Sequence, residues 1–392
     1  MPVGGLPAFP WDSLRPHAER ARAHPGGIVD LSIGTPVDPT PELLQRALAQ
    51  AADAPGYPTV AGTTAVHEAV RAWFDRVRGT GPLPGLGVMP LIGSKELVAW
   101  LPTLLGLGPG DAVVHPEVAY PTYDVGARLA GATPVAADST TALGPDRSVR
   151  LVWLNSPGNP TGQVLGVEHL AKVVAWARER GAVVASDECY CDMGWDARWD
   201  PAAGGEQVPS VLDPRVTGGD LTGVLAVCSA SKRSNLAGYR AAFVAGDPVL
   251  VQRLVEVRRH AGMIVPAPVQ AVLAASLADD DHVAVQKARY GARRAVLLPA
   301  LHAAGLRVDS SEAGLYLWAT PVGADRSDPA AGEPAPCWQT VERLAGLGVL
   351  VAPGSFYGRR GVHHVRVALT ATDERVAAAA ERLEASGVPV SG

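Results

Sequence analysis

Short apolar runs alternate with longer amphipathic stretches over residues 88–245. The runs VMPLI (88–92), AVVH (112–115), LVWL (151–154), AVVAS (182–186) and VLAVCS (224–229) have the length and the composition of strands buried on both faces. Between them, residues 95–105, 121–130 and 167–180 carry apolar positions at helical spacing. In the last of these, Leu170, Val173, Val174 and Ala177 make one stripe. Strand and helix in alternation predict an α/β fold with a mostly parallel central sheet covered by helices. Ligands of such sheets bind beyond the carboxyl ends of the strands. The chemistry is therefore expected just after each run.

A helical stretch over about 247–304 follows, then RVDSSEAGLYLWAT, a helix over 337–346, the strands GVLVAP and HHVRVALT, and a final helix over about 373–386. This order predicts a smaller α+β unit. We expect an N-terminal arm with part of that unit over 1–36, a large unit over 37–280 and the small C-terminal unit over 281–392. The Gly/Pro-rich insert at 321–336 reads as a surface loop.

Composition narrows the function. The 392 residues are 47% hydrophobic and 19% charged, which excludes a disordered chain. A net charge of −5 without long charge runs leaves no electrostatic footprint for nucleic acid or an anionic membrane. No run of about 18 apolar residues exists, and the first twenty residues lack the pattern of a signal peptide. Cys189, Cys191, Cys228 and Cys337 form no C-x-x-C pair, so free thiols, a cytoplasmic location and no metal site are expected. Lysine occurs only at 95, 172, 232 and 287, so any lysine chemistry has four candidates.

The strand exits supply the candidates. After VMPLI, Gly93-Ser94-Lys95 opens a helix, which is either a plain N-cap or an anion site made by free backbone N–H groups. After AVVH, Tyr120 and Tyr123 offer either a flat stacking surface or core packing. After LVWL, Asn155 and Asn159 place two amides in one dense turn. After AVVAS comes Asp187, which is either part of an exposed turn or a desolvated carboxylate that needs a cation no nearby residue provides. After VLAVCS, Lys232 sits at the sheet edge among Ser229, Ser231 and Arg240, groups suited to a phosphate. A planar phosphorylated cofactor with a ring nitrogen and a carbonyl that attaches to lysine would use all of them. Pyridoxal 5′-phosphate has that chemistry.

The motifs N-S-P-G-N-P-T-G (155–162), S-D-E-C-Y (186–190), S-A-S-K-R-S-N-L-A-G-Y-R (229–240) and V-R-V-A-L-T (365–370) resemble those of the class I and II, fold-type I aminotransferases, in that family's order. The resemblance implies that Lys232 is the Schiff-base lysine and proton shuttle, that Asp187 pairs with the pyridinium nitrogen, and that Tyr190 and Asn159 bond the cofactor's phenolic oxygen. It further implies a phosphate site of Ser94, Lys95, Ser229, Ser231 and Arg240, with Ser94 and Lys95 contributing partly through backbone, ring stacking by Tyr120, and a substrate carboxylate held by Arg366 with Gly34 and Asn155 alongside. It implies a homodimer with shared sites, in which Tyr57 reaches the neighbouring phosphate. Within the family, GYPTVAGT, GSKELVAWLPT and KRSNLAGYRAAFVAGDP are similar to the actinobacterial N-succinyldiaminopimelate aminotransferases. That implies ping-pong transfer between N-succinyl-LL-2,6-diaminopimelate and 2-oxoglutarate or glutamate in lysine biosynthesis, for which Lys95 and Arg233 are candidate readers of the distal donor groups. The alternative is the same fold acting on glutamate, aspartate or alanine.

Two readings from other classes are weaker. Ser229-Ala230-Ser231-Lys232 also matches S-x-x-K, but its S-D-N and K-T-G partners are absent. A cofactor-binding sensor without catalysis would not need Lys232, Asp187 and Arg366 together.

Overall fold

Thirteen strands lie among the described residues of the computed structural model, which are 6–144, 147–323, 327 and 333–387. They are β1 (Val29–Asp30), β2 (Gly87–Ile92), β3 (Ala112–His115), β4 (Thr133–Ala136), β5 (Val149–Asn155), β6 (Val183–Asp187), β7 (Val224–Ser229), β8 (Ala241–Gly246), β9 (Leu306–Asp309), β10 (Tyr316–Pro321), β11 (Val349–Leu350), β12 (Ala352–Pro353) and β13 (Val365–Ala368). Seven of them form the central sheet in the order β2-β8-β7-β6-β5-β3-β4. All its pairings are parallel except the two made by β8, which runs antiparallel to β2 and β7.

The five apolar runs all fall on strands of this sheet, within two residues at each end. Alternate side chains enter opposite cores, as the pleat requires. Val224, Ala226 and Cys228 join one cluster with Val173, Val174 and the helix Thr64–Arg78. Leu225 and Val227 join the other, with Leu97 and Leu101 of the helix Ser94–Leu104. Strands β4 and β8 carried no clear signal: β4 is a half-exposed edge strand, and β8 is largely alanine and glycine, which are poor strand formers.

The stretch 247–304 is not one helical unit but three helices, Pro248–Ala261, Ala267–Ala278 and Asp281–Ala303. Gly262 ends the first in the left-handed conformation (φ 71°). Pro266 precedes the second, and Asp279 ends it while accepting from the His282 N–H in the first turn of the third at 3.1 Å. These breaks are short enough to be hidden inside an apolar period.

A second, antiparallel sheet runs β12-β13-β10-β9, and β1 pairs in parallel with β11. Its core includes Leu317 and Val367 from the strands, Leu344 from the helix Cys337–Gly346, Val376 and Leu383 from the helix Asp373–Ala385, and Leu14 and Ala21 from the N-terminal segment. The chain over 31–34 lies beside β13: the Ala368 N–H donates to Leu31 O at 2.8 Å and Thr370 Oγ1 donates to Ile33 O at 3.0 Å. Half of the insert at 321–336 lies outside the described residues. Among those residues no helix is long and apolar enough to cross a membrane, and all four cysteines are free thiols.

Candidate active site

The carboxyl ends of β5, β6 and β7 open into a cavity of about 350 Å³, closed from above by Arg366 on β13 and by the segment around Gly34. A larger open cavity of about 1340 Å³ adjoins it across Phe9 and Tyr120, which line both.

Lys232 follows β7 in a single helical turn, Ala230–Arg233, and its ammonium donates to the carbonyl of Gly34. Burial pushes its pKa below the ordinary lysine range. The amine is thus easier to deprotonate than a surface lysine.

Asp187 ends β6 and is 8% exposed, so the exposed-turn alternative fails. Its Oδ2 accepts from the Tyr123 hydroxyl at 2.9 Å and its Oδ1 from the Cys189 N–H at 3.2 Å. Among the described residues no Lys, Arg or His forms an ion pair with it. Burial raises its pKa, as expected of a carboxylate with only neutral donors. A protonated ring nitrogen would supply the missing cation.

Gly93 precedes the helix Ser94–Leu104 with φ 77° and ψ 149°, a conformation nearly reserved for glycine. A Cβ there would lie 2.1 Å from Arg240 Nη2, so the guanidinium rests against this bare backbone. Ser229 Oγ donates to Ser231 Oγ at 2.9 Å and accepts from the Ser231 N–H at 3.1 Å. Helix N–H groups, two hydroxyls and a guanidinium thus line one corner of the cavity, and they fit a phosphate.

Arg366 is 3% exposed. Nη1 donates to Asn159 Oδ1 at 3.0 Å and Nη2 to Ser32 O at 2.6 Å. The guanidinium lies 4.0 Å from the Tyr316 ring centre and 5.0 Å from that of Tyr357. Among the described residues it has no carboxylate partner. A buried guanidinium held only by neutral groups is a receptor for an incoming carboxylate.

Other expected residues need correction. Asn155 lines the cavity, but its amide braces the turn instead of reaching toward a substrate: Nδ2 donates to Asp187 O at 3.0 Å, and Oδ1 accepts from the Asn159 N–H at 2.7 Å. The Lys95 ammonium lies over the rings of Phe9 and Tyr120, 5.7 Å from each centre, where the two cavities meet, so its expected share in the phosphate site falls to its backbone N–H in the first turn of the helix Ser94–Leu104. Arg233 is buried in an ion pair with Asp192 at 3.0 Å and cannot read a distal substrate group. Tyr120 is in the cavity wall, edge-on to Tyr123 at 6.4 Å. Tyr57 is fully exposed and outside the cavity wall of its own chain.

Two residues went unrecognised as site groups. The Tyr316 hydroxyl meets that of Tyr190 at 3.2 Å, and a Cβ on Gly34 would lie 2.1 Å from it. Glycine at 34 is what allows Tyr316 to stand there. Tyr123 stood as a stacking or core residue, yet it is a donor to Asp187. Their only sequence signal is an aromatic residue among small or aliphatic neighbours, which is too common to be diagnostic.

Comparison with known proteins agrees with this chemistry. Residues 27–383 match the family described as aminotransferase class I and II. The chain is 59% identical over 378 residues to a probable aminotransferase of Mycobacterium tuberculosis, covering 96% of this chain and 85% of that protein. It is 55% identical to 4-dedimethylamino-4-oxo-anhydrotetracycline transaminase of Streptomyces rimosus, covering 96% of this chain and 99% of that protein. Among solved structures it is similar to a probable N-succinyldiaminopimelate aminotransferase from Thermus thermophilus, with a TM-score of 0.81 and 28% identity, covering 96% of this chain and 100% of that one.

Proposed function

Because the chain belongs to the class I and II aminotransferases, which depend on pyridoxal 5′-phosphate, we propose that it moves an amino group between N-succinyl-LL-2,6-diaminopimelate and 2-oxoglutarate. The bound cofactor supplies an electron sink for the charge left at Cα when its proton is removed. The remaining work falls to the protein. Asp187, Tyr190, Asn159 and Tyr120 hold the ring, and Ser94, Ser229, Ser231 and Arg240 hold the phosphate. Lys232, whose pKa is lowered by burial, takes and returns the proton at the substrate Cα. Arg366 forks the α-carboxylate and so orients the Cα–H bond. Donor and acceptor share this one arginine, so the first product leaves before the second substrate enters, and the kinetics are ping-pong.

The observation that carries the substrate reading is Lys95. It makes no ion pair among the described residues, and it stands where the site cavity meets the larger one. A long donor anchored by its head at Arg366 would meet this cation along its length, with room for the acyl end beyond Phe9 and Tyr120. The likeness to the Thermus structure supports this reading. A second reading has its own support. The Streptomyces relative is 55% identical and is named for a polycyclic ketone. The larger cavity, lined partly by Leu6, Phe9 and Phe356, would suit such an acceptor. We further propose a homodimer in which Tyr57 closes the partner's site.

Single-turnover absorbance of the holoenzyme tests these readings. The donors are N-succinyl-LL-2,6-diaminopimelate, free diaminopimelate, glutamate, aspartate and alanine, and the polycyclic ketone is offered to the aminated form. We expect the succinylated donor to exceed free diaminopimelate in efficiency. Turnover of alanine or aspartate alone would overturn the assignment, and preferential use of the ketone would favour the second reading.

A further inference from the structure

We propose that Tyr123 is a positioning residue for the transamination, whose hydroxyl fixes the direction and the charge of the Asp187 carboxylate. Asp187 lies at the end of β6 with β5 on one side and β7 on the other, so its backbone is fixed by two strands. Its carboxylate is buried without a basic partner among the described residues. Oδ1 takes the Cys189 N–H at 3.2 Å, and the Cys189 thiol also reaches the carboxylate. Oδ2 has the Tyr123 hydroxyl at 2.9 Å. A buried carboxylate that loses a donor is driven toward its neutral form, and a neutral acid cannot serve as counterion to a ring N–H.

Tyr123 is built to hold that position. It is fully buried, in the first turn of the helix Thr122–Leu129. Its ring packs 5.2 Å from that of Trp153 on β5 and edge-on to Tyr120 at 6.4 Å. The phenol itself is held neutral, because burial and the adjacent Asp187 both push its pKa up. It therefore stays a proton donor to the carboxylate at neutral pH. The ring is core, as a sequence alone suggests, while the hydroxyl serves the site.

The test uses Tyr123→Phe and Tyr123→His as holoenzymes. Phenylalanine removes only the hydroxyl, and histidine restores a ring donor. Five quantities are measured: the cofactor dissociation constant, the ¹⁵N shift of the labelled ring nitrogen against pH, kcat, KM and the melting temperature. Loss of a hydrogen bond to a charged group predicts, for Tyr123→Phe, roughly 10–100-fold weaker cofactor binding and a kcat loss of about the same size, with KM changed by less than about 3-fold. The ring nitrogen should lose its proton at lower pH than in the wild type, and Tyr123→His should recover most of both losses. An unchanged ring-nitrogen titration in Tyr123→Phe would overturn the proposal. So would a histidine variant no better than phenylalanine at an equal melting temperature, since the loss would then be one of packing.

Discussion

Arg366 lies over the ring of Tyr316, its guanidinium carbon 4.0 Å from the ring centre. Asn159 and Ser32 take one N–H each of the guanidinium's two terminal nitrogens. What the ring cannot satisfy is the charge. Arg366→Lys keeps that charge but loses the fork and the stacking surface. We expect kcat/KM to fall by on the order of 10²–10³-fold, the equivalent of about 3–4 kcal/mol, in both half-reactions. Stopped-flow traces with donor and with keto acid check this, and a defect confined to one substrate would contradict a shared anchor.

Lys232 predicts a pH-dependent stability. Burial lowers its pKa from the ordinary 10.5, so over the window below that value the unfolded chain binds a proton that the folded apo chain does not. Stability therefore rises with pH across the window. Lys232→Met removes the cost of burying the ammonium. The apo variant should melt at a higher temperature than apo wild type, with a gain that is largest at low pH and fades toward pH 10.5. Differential scanning calorimetry of the two apo proteins across pH reads this directly, and a gain growing with pH would refute it.

Gly93→Ala should disturb the phosphate corner from the backbone side. The new Cβ would stand 2.1 Å from Arg240 Nη2 at a φ of 77°. Backbone strain of about 1–3 kcal/mol follows from the conformation alone. Fluorescence titration should find cofactor affinity lowered by about tenfold or more, the equivalent of ~1.4 kcal/mol. Unchanged affinity would mean that Arg240 does not depend on that approach.

Lys95→Met should separate substrates by length. Efficiency with donors bearing a distal carboxylate should fall about 10-fold, while alanine, which lacks one, should change by less than about 2-fold. Equal losses for all donors would return Lys95 to a role in binding the cofactor.

Tyr57 offers a test of assembly, since it is fully exposed on its own chain. Lys232→Ala and Tyr57→Ala chains should each be weakly active alone. If each site takes Tyr57 from its neighbour, mixed and refolded chains contain one intact site in every hybrid dimer, about a quarter of wild-type activity. No recovery on mixing would refute the shared site.

Much of the site was legible before the fold because its residues follow runs of buried strand. Lys232, Asp187 and Asn159 each stand within about five residues of an apolar segment that declares itself locally, and a parallel sheet gathers such strand ends at one edge. The same local signal overran Gly262, Pro266 and Asp279, because helices divided by a few residues share one apolar period. The partners of those residues were decided by the tertiary structure alone. Arg366 and Tyr316 come from the second sheet, and only its packing over the first brings them to Asn159 and Tyr190, 207 and 126 residues away in the chain. Tyr123 meets Asp187 across 64 residues, and the Lys95 ammonium reaches the Phe9 and Tyr120 rings. Periodicity reports which face of an element is apolar. Which polar tip reaches which depends on how whole elements dock, and that is settled by shape and burial summed over both cores.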